Sequence, residues 1–254
     1  MVIPLETLGF DTAIDWRGLT RADLLILVVL VIVWPIYSYI SMKLNPPEKI
    51  RHDPNIRLDS YNLIILQLWC FATAIIGVWI WVDRPFGMLG FRHMLDTPTK
   101  VTWAVAAIMI AFSAFHLVQV FFSSKARQKF AGQLRDVGEL TEILMPRTGK
   151  EYRRSMLVAV TAGITEEIIF RGYIIWALSL FVHPYAAGAL SILVFVLLHL
   201  YQERAGLIQV TIFAVIATIM YLVSGSLWPV IVLHIGVDIL NISLAWKVGQ
   251  ETRQ

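Results

Sequence analysis

Residues Tyr61–Val82 read YNLIILQLWCFATAIIGVWIWV, an unbroken apolar run without one charged side chain. An α-helix rises 1.5 Å per residue, so about 20 residues cross a hydrocarbon core about 30 Å thick. Inside such a core every backbone N–H and C=O has to be satisfied within the segment itself, which makes a helix the natural reading. Six further blocks of the same kind can be marked: Ala22–Ile40, Thr102–Phe122, Met156–Phe181, Ala187–Leu200, Leu207–Val223 and Leu227–Trp246. The composition agrees. Of 254 residues 57% are hydrophobic and 15% charged, and the mean hydropathy is +0.69. A soluble domain carries about 45–50% apolar and roughly 25% charged residues, so an ordinary soluble fold is excluded. The low charge excludes a disordered chain as well. The expected fold is all-α, a polytopic transmembrane bundle of about seven helices.

The chain then divides into an interfacial N-terminal segment (1–21), three N-terminal transmembrane helices (22–122), a polar loop (123–154), a core of four further helices (155–246) and a short tail (247–254). Trp16 and Leu19 beside Asp15 and Arg17 suit an interface. Glu6, Asp11 and Asp15 stand where a secretory signal would be basic. Thr20 followed by Asp23 has the spacing of a capping box that opens the first span. In the loop, Phe130, Leu134, Val137, Leu140 and Leu144 recur among Lys, Arg, Asp and Glu. That pattern fits an amphipathic helix on the cytoplasmic surface, or equally a solvated connector. The single cysteine, Cys70, permits no intramolecular disulfide and reads as a small buried residue.

The net charge is +3 and the pI about 9.0. No run of Lys and Arg alternates with aromatics, so nucleic acid is excluded as a partner. The basic residues flank the apolar blocks instead. One set of connecting segments holds fifteen of them, the other five (Arg17, Arg21, Arg84, Arg92 and Lys100). That bias predicts a cytoplasmic C-terminus and an N-terminus on the far side, which needs an odd number of spans.

A charge at the bilayer centre costs about 2.5–3.5 kcal/mol even on the mild insertion scale, so such residues need partners and point to function. They concentrate in the last hundred positions. The first group is Gly163-Ile-Thr-Glu166-Glu167-Ile-Ile-Phe170-Arg171-Gly172. Adjacent helical carboxylates point about 100° apart. Glu167 and Arg171, spaced i, i+4, can form an ion pair. That leaves Glu166 facing elsewhere as a candidate general base or acid. The second group is Phe195-Val-Leu-Leu-His199, with the aromatic ring one turn before the imidazole. Either the helix of His199 runs on through 201–204 or its end dips into a cavity. The third is His234-Ile-Gly-Val-Asp238-Ile-Leu-Asn241, one polar stripe on an apolar helix. Glu166 lies about 15 Å from the cytoplasmic end of its span and Asp238 about 16 Å from the outer end of its own, so both sit near the midplane. His116 and Gln119 make a fainter stripe that reads as packing. Two carboxylates, two imidazoles and an amide on three helices can activate water and stabilise an oxyanion. Glu166, His199, His234 and Asp238 are also competent zinc donors.

Glu166-Glu167-x-x-x-Arg171, Phe195-x-x-x-His199 and His234-x-x-x-Asp238 resemble, in order and spacing, the three-motif signature of the CAAX protease and bacteriocin-processing (CPBP) family. The resemblance runs from about Leu144 to Trp246. It includes Met145-Pro-Arg147, Ala162-Gly163, His199-Leu-Tyr201-Gln202 and Gly225-Ser-Leu-Trp228-Pro229. It implies an intramembrane endopeptidase similar to the type II CAAX prenyl proteases, with the catalytic core in the last four helices. By position Glu166 resembles the glutamate that deprotonates water, with His199 helping to hold that water. His234 and Asp238 match the oxyanion-stabilising positions, and Glu167 with Arg171 the accompanying pair. The last motif position is often Asn in the family; ionised Asp accepts hydrogen bonds but donates none, so Asp238 is expected to orient His234. No cofactor is favoured, because a zinc ion would consume Glu166 as a ligand. The implied partners are the lipid bilayer and a membrane-associated protein or peptide, and the implied location is a cell membrane, the bacterial one if the chain is prokaryotic. Two other readings stay open: a non-catalytic family member acting in self-immunity or as a scaffold, and a small transporter.

Overall fold

The structure is a computed structural model and describes residues 18–50, 53, 55–92 and 96–251. The expected interfacial segment and the acidic start of the chain therefore lie almost wholly outside the described residues. Within them the chain is helical, with no strand. The long rods are α1 (Arg21–Leu44), α2 (Ile56–Trp81) and α3 (Thr97–Phe122). Two short helices follow, α4 (Ser124–Val137) and α5 (Glu139–Ile143). Helix α6 covers 149–179: α-helical Gly149–Glu166, π-helical Glu167–Ile174 and α-helical Ile175–Ser179. Then come α7 (Pro184–Leu198), α8 (Arg204–Ser224) and α9 (Trp228–Glu251).

Five of the rods, α1, α2, α3, α8 and α9, are long and apolar enough to cross a membrane. Their outer faces carry exposed large apolar side chains, among them Leu66, Ile80, Ile108, Phe112 and Ile219. An apolar patch of that extent on a folded chain marks a lipid-facing surface. The protein is an integral membrane protein. On α2 the buried stripe is Leu68, Ala72, Ile75 and Trp79. Cys70 lies on the opposite face and is exposed, against the expectation from sequence.

Helix α6 is the central post. Every residue from Glu167 to Ile174 is buried, and α2, α7 and α9 pack around it. Two polar joints fix its ends. At one end Thr148 and Glu151 form a capping box. Glu151 also accepts from Arg57 Nε at 2.9 Å, and Tyr61 Oη donates to the Leu144 carbonyl. Burial pushes the Glu151 carboxyl up, but the N–H groups of Arg147 and Thr148 and the Arg57 guanidinium outweigh that and hold it below its usual range. At the other end the Thr20–Asp23 capping box is present as expected. Asp23 is itself fully buried and takes Arg84 in a bidentate pair at 2.8 and 2.7 Å. Tyr173 Oη of α6 donates to the Asp23 carbonyl at 2.8 Å. The Arg84 guanidinium sits between the Trp79 and Trp176 rings, 5.0 and 4.6 Å from their centroids. Arg84, counted by charge as a loop residue, is thus an internal brace.

In the polar loop, α4 turns Phe130, Ala131 and Leu134 onto Val120, Leu244 and Val248. Its apolar face covers the ends of α3 and α9.

Candidate active site

Glu166 is the last α-helical residue of α6, and Glu167 opens the π segment. Glu167 is fully buried, and its Oε1 accepts two hydrogen bonds, from Arg171 Nη1 at 2.9 Å and from His234 Nδ1 at 2.7 Å. The i, i+4 pair with Arg171 is as expected. The imidazole contact is new: the hydrogen-bond partner of His234 is Glu167, across helices, while the expected partner Asp238 stands 3.6 Å from its other nitrogen. A carboxylate accepts only, so Nδ1 carries the proton.

The Arg171 guanidinium lies 4.8 Å from the Phe195 ring and 5.9 Å from that of Phe213, and Phe213 also packs on the His234 ring at 4.7 Å. Aromatic faces on both sides suit a cation taken out of water. Helix α9 reaches this site because residue 163 is glycine. A Cβ there would clash with Ile235 Cγ1 and stand 2.9 Å from the Ile235 backbone N. Only a residue without a side chain lets the two backbones approach so closely next to His234.

His234 turns its other nitrogen toward two acids. Nε2 is 3.9 Å from Glu166 Oε2 and 3.6 Å from Asp238 Oδ2. Both exceed a direct hydrogen bond but leave the three groups facing one small space. The two open alternatives for His199 are decided: α7 ends at Leu198, and His199 is its C-cap, at the wall of a cavity. Its Nδ1 donates to the Phe195 carbonyl at 2.7 Å, so in the neutral ring Nε2 keeps its lone pair. Phe195 stands between the Arg171 guanidinium and the His199 ring, 4.5 Å from the latter. Asn241 is exposed and takes no part in these contacts.

The cavity has a volume of about 520 Å³, and both Glu166 and His199 line it. Much of its remaining wall comes from helices that carry none of the three motifs. Helix α1 contributes Trp34 and Tyr37, and α2 contributes Ser60, Leu63, Ile64 and Gln67. Leu144, Phe170 and Tyr201 close it. Tyr201 was quoted in a motif but assigned nothing; its place two residues after His199, in the turn before α8, is what brings it here. His116 and Gln119 lie elsewhere, exposed on α3, with His116 against the Phe112 and Phe115 rings.

Zinc was the metal the donor set could take. Among the described residues no three of His, Cys, Asp and Glu stand together as a metal-holding group. His234 Nδ1 and His199 Nδ1 are bonded to Glu167 and to a backbone carbonyl, which leaves Nε2 as the nitrogen of each ring that a metal could take.

The fold and the site define a polytopic helical membrane protein built around a cluster of acids and imidazoles. Residues 150–240 match the family model described as type II CAAX prenyl endopeptidase Rce1-like. That segment is similar to the CAAX protease family, the family that its sequence motifs also resemble. The match spans α6 to the middle of α9 and includes Glu166, Glu167, Arg171, His199, His234 and Asp238. Helices α1, α2 and α3 lie outside it. No curated protein and no solved structure matches the chain.

Proposed function

We propose that the protein is an intramembrane endopeptidase in which Glu166 activates water against a peptide carbonyl. The observation that carries this is the division of labour between neighbouring acids. Glu167 is consumed by Arg171 and His234, while Glu166 faces a cavity together with His199. Water held between Glu166 and His199 gives a proton to Glu166, and the hydroxide adds to the carbonyl carbon. His234, protonated on both nitrogens, donates through Nδ1 to Glu167 and through Nε2 to the oxyanion. The carbon–nitrogen bond then breaks, and Glu166 returns its proton to the leaving amine. Asp238, facing the same Nε2, steadies the ring between turnovers.

The substrate is a membrane-associated peptide or protein tail, of which prenylated CAAX tails are one kind. We take the cavity mouth to be the end lined by Asn45 and Leu144, which the charge bias puts on the cytoplasmic side. The test is cleavage of membrane-protein C-terminal peptides by the purified chain in liposomes. Glu166→Gln should lower turnover at least about a hundredfold with the fold intact. Turnover retained in that variant removes Glu166 from the mechanism. In cells, function that survives both Glu166→Ala and His199→Ala would make the chain a scaffold.

A further inference from the structure

Gln67 stands in the middle of α2, between Ile64, Leu66 and Leu68, in a span with no charged residue around it. A carboxamide in an apolar span needs a hydrogen-bonding partner, because hydrocarbon supplies none. Among the described residues, none of the side-chain hydrogen bonds involves Gln67. Its side chain instead lines the cavity that holds Glu166 and His199.

Its height can be read from two contacts between α2 and α6. The Arg57 and Glu151 side chains touch at 2.9 Å near one end, and the Trp79 and Trp176 ring centroids stand 4.7 Å apart near the other, so the helices run in the same direction. Gln67 comes ten residues after Arg57 and twelve before Trp79, and Glu166 fifteen after Glu151 and ten before Trp176. The two differences place Gln67 about 3–7 Å nearer the mouth than Glu166. An extended peptide advances about 3.3 Å per residue, so the separation is about one to two residues of substrate.

We infer that Gln67 is a positioning residue that pairs its carboxamide with the substrate backbone about one to two residues from the scissile bond, on the mouth side. A carboxamide offers one acceptor and an N–H donor, the complement of a peptide unit. Its neighbours on the α2 wall are the apolar Leu63, Ile64 and Leu68. A peptide entering this space sheds its water, and Gln67 returns a partner to one backbone unit. The same contact fixes how far the chain slides in, and so which carbonyl reaches Glu166. Gln67 lies outside the matched family segment, so the inference concerns this chain's own wall. It rests on the endopeptidase reading.

The experiment uses the full chain in liposomes and a fluorogenic apolar peptide that it cleaves, with versions N-methylated at one backbone amide at a time. Gln67→Leu should raise KM roughly tenfold and leave kcat unchanged. N-methylation at one backbone amide, about one to two residues from the scissile bond on the mouth side, should cost the wild type a similar factor and cost Gln67→Leu nothing. Gln67→Asn should fall between. The same peptides are bound to Glu166→Gln with and without Gln67→Leu, by fluorescence anisotropy, where a tenfold loss of affinity is expected. Unchanged KM in Gln67→Leu, equal losses in both proteins on every methylated peptide, or no binding to the Glu166→Gln chain would overturn the assignment. Hydrolysis that survives Glu166→Gln overturns the endopeptidase mechanism, and the binding arm still decides Gln67.

Discussion

Two consecutive glutamates should respond to the same substitution in opposite ways. Glu167→Ala deletes the acceptor of two short hydrogen bonds and leaves the Arg171 guanidinium, 1% exposed, without its counter-charge. Removing one partner of a buried pair costs about 3–5 kcal/mol. Arg171 keeps the rings of Phe195 and Phe213 and a 3.4 Å bond to the Ala214 carbonyl, which argues for the lower end. About 3 kcal/mol is a factor of more than a hundred in the folded-to-unfolded ratio. Glu166 has no hydrogen bond in the site, and its side chain is 15% exposed. Glu166→Ala should therefore change stability by no more than about 0.5 kcal/mol while turnover falls at least about a hundredfold. The assay is reversible unfolding in mixed micelles titrated with SDS, followed by tryptophan fluorescence, beside peptide cleavage by the same preparations. Wild-type unfolding of Glu167→Ala, or an equal loss of stability in Glu166→Ala, would refute the assignment of hub to one acid and base to the other.

Gly163→Ala puts a methyl group 2.9 Å from the Ile235 backbone, which cannot rotate aside. It should cost about 1–3 kcal/mol and lower kcat, because Glu167 and His234 move apart; the unfolding and cleavage assays read both. Asp23→Leu alone should destabilise by about 3 kcal/mol through the stranded Arg84, and the double variant Asp23→Leu, Arg84→Leu should regain most of it, measured as a double-mutant cycle in the same titration. Glu151 has a folded-state carboxyl value below its ordinary 4.5. Its stabilisation is therefore complete above that ordinary value and disappears as the pH falls through the lower folded one. The gap in unfolding midpoint between wild type and Glu151→Gln should accordingly close on acidification, with no closing toward neutral pH.

The spans were legible because run length and hydropathy are local properties. The seven blocks all return as helical rods, and the Thr20–Asp23 cap lies where its spacing put it. Local patterns were also overlooked. Thr148-x-x-Glu151 has the spacing of a capping box, and it starts α6 seven residues before the apolar block Met156–Phe181 begins. The ion pair of Glu167 and Arg171 could be read from i, i+4 spacing. The bond from Glu167 to His234 could not, because it depends on how closely two helices approach, and that is decided by an unobtrusive glycine at 163. Asp238 seemed the natural partner of His234 because it shares its helix; the shorter contact crosses helices. The cavity wall was invisible for the opposite reason. Trp34, Tyr37 and Gln67 look like ordinary members of lipid-crossing spans, and nothing in a linear pattern says which side of a helix faces inward. Arg84 misled because a cation next to a span end is ordinarily solvated, whereas the fold brings two indoles and Asp23 around it.

The π segment of α6 explains why the polar joints sit where they do. A wider helical turn is intrinsically less favourable than an α turn and persists only where its surroundings over-determine it. Here the segment Glu167–Ile174 is held at both ends. Glu167 and Arg171 fasten its start to α9 through His234, and Tyr173 fastens its end to Asp23 on α1. Between them Ser191 Oγ of α7 donates to the Phe170 carbonyl at 2.7 Å, giving a partner to a backbone group within the irregular turn. Helix α1 has a π turn of its own at Val29–Val33, where Trp34 N–H bonds the Val29 carbonyl just before Pro35, which has no N–H to offer. The stretch of α1 after that turn lines the cavity, and the stretch before it is locked by Asp23 to Arg84. The wall formed by α1 and the acids on α6 are therefore indexed to each other through one joint. A change at Asp23, far from any reacting atom, should alter where the wall meets the substrate as well as how stable the bundle is.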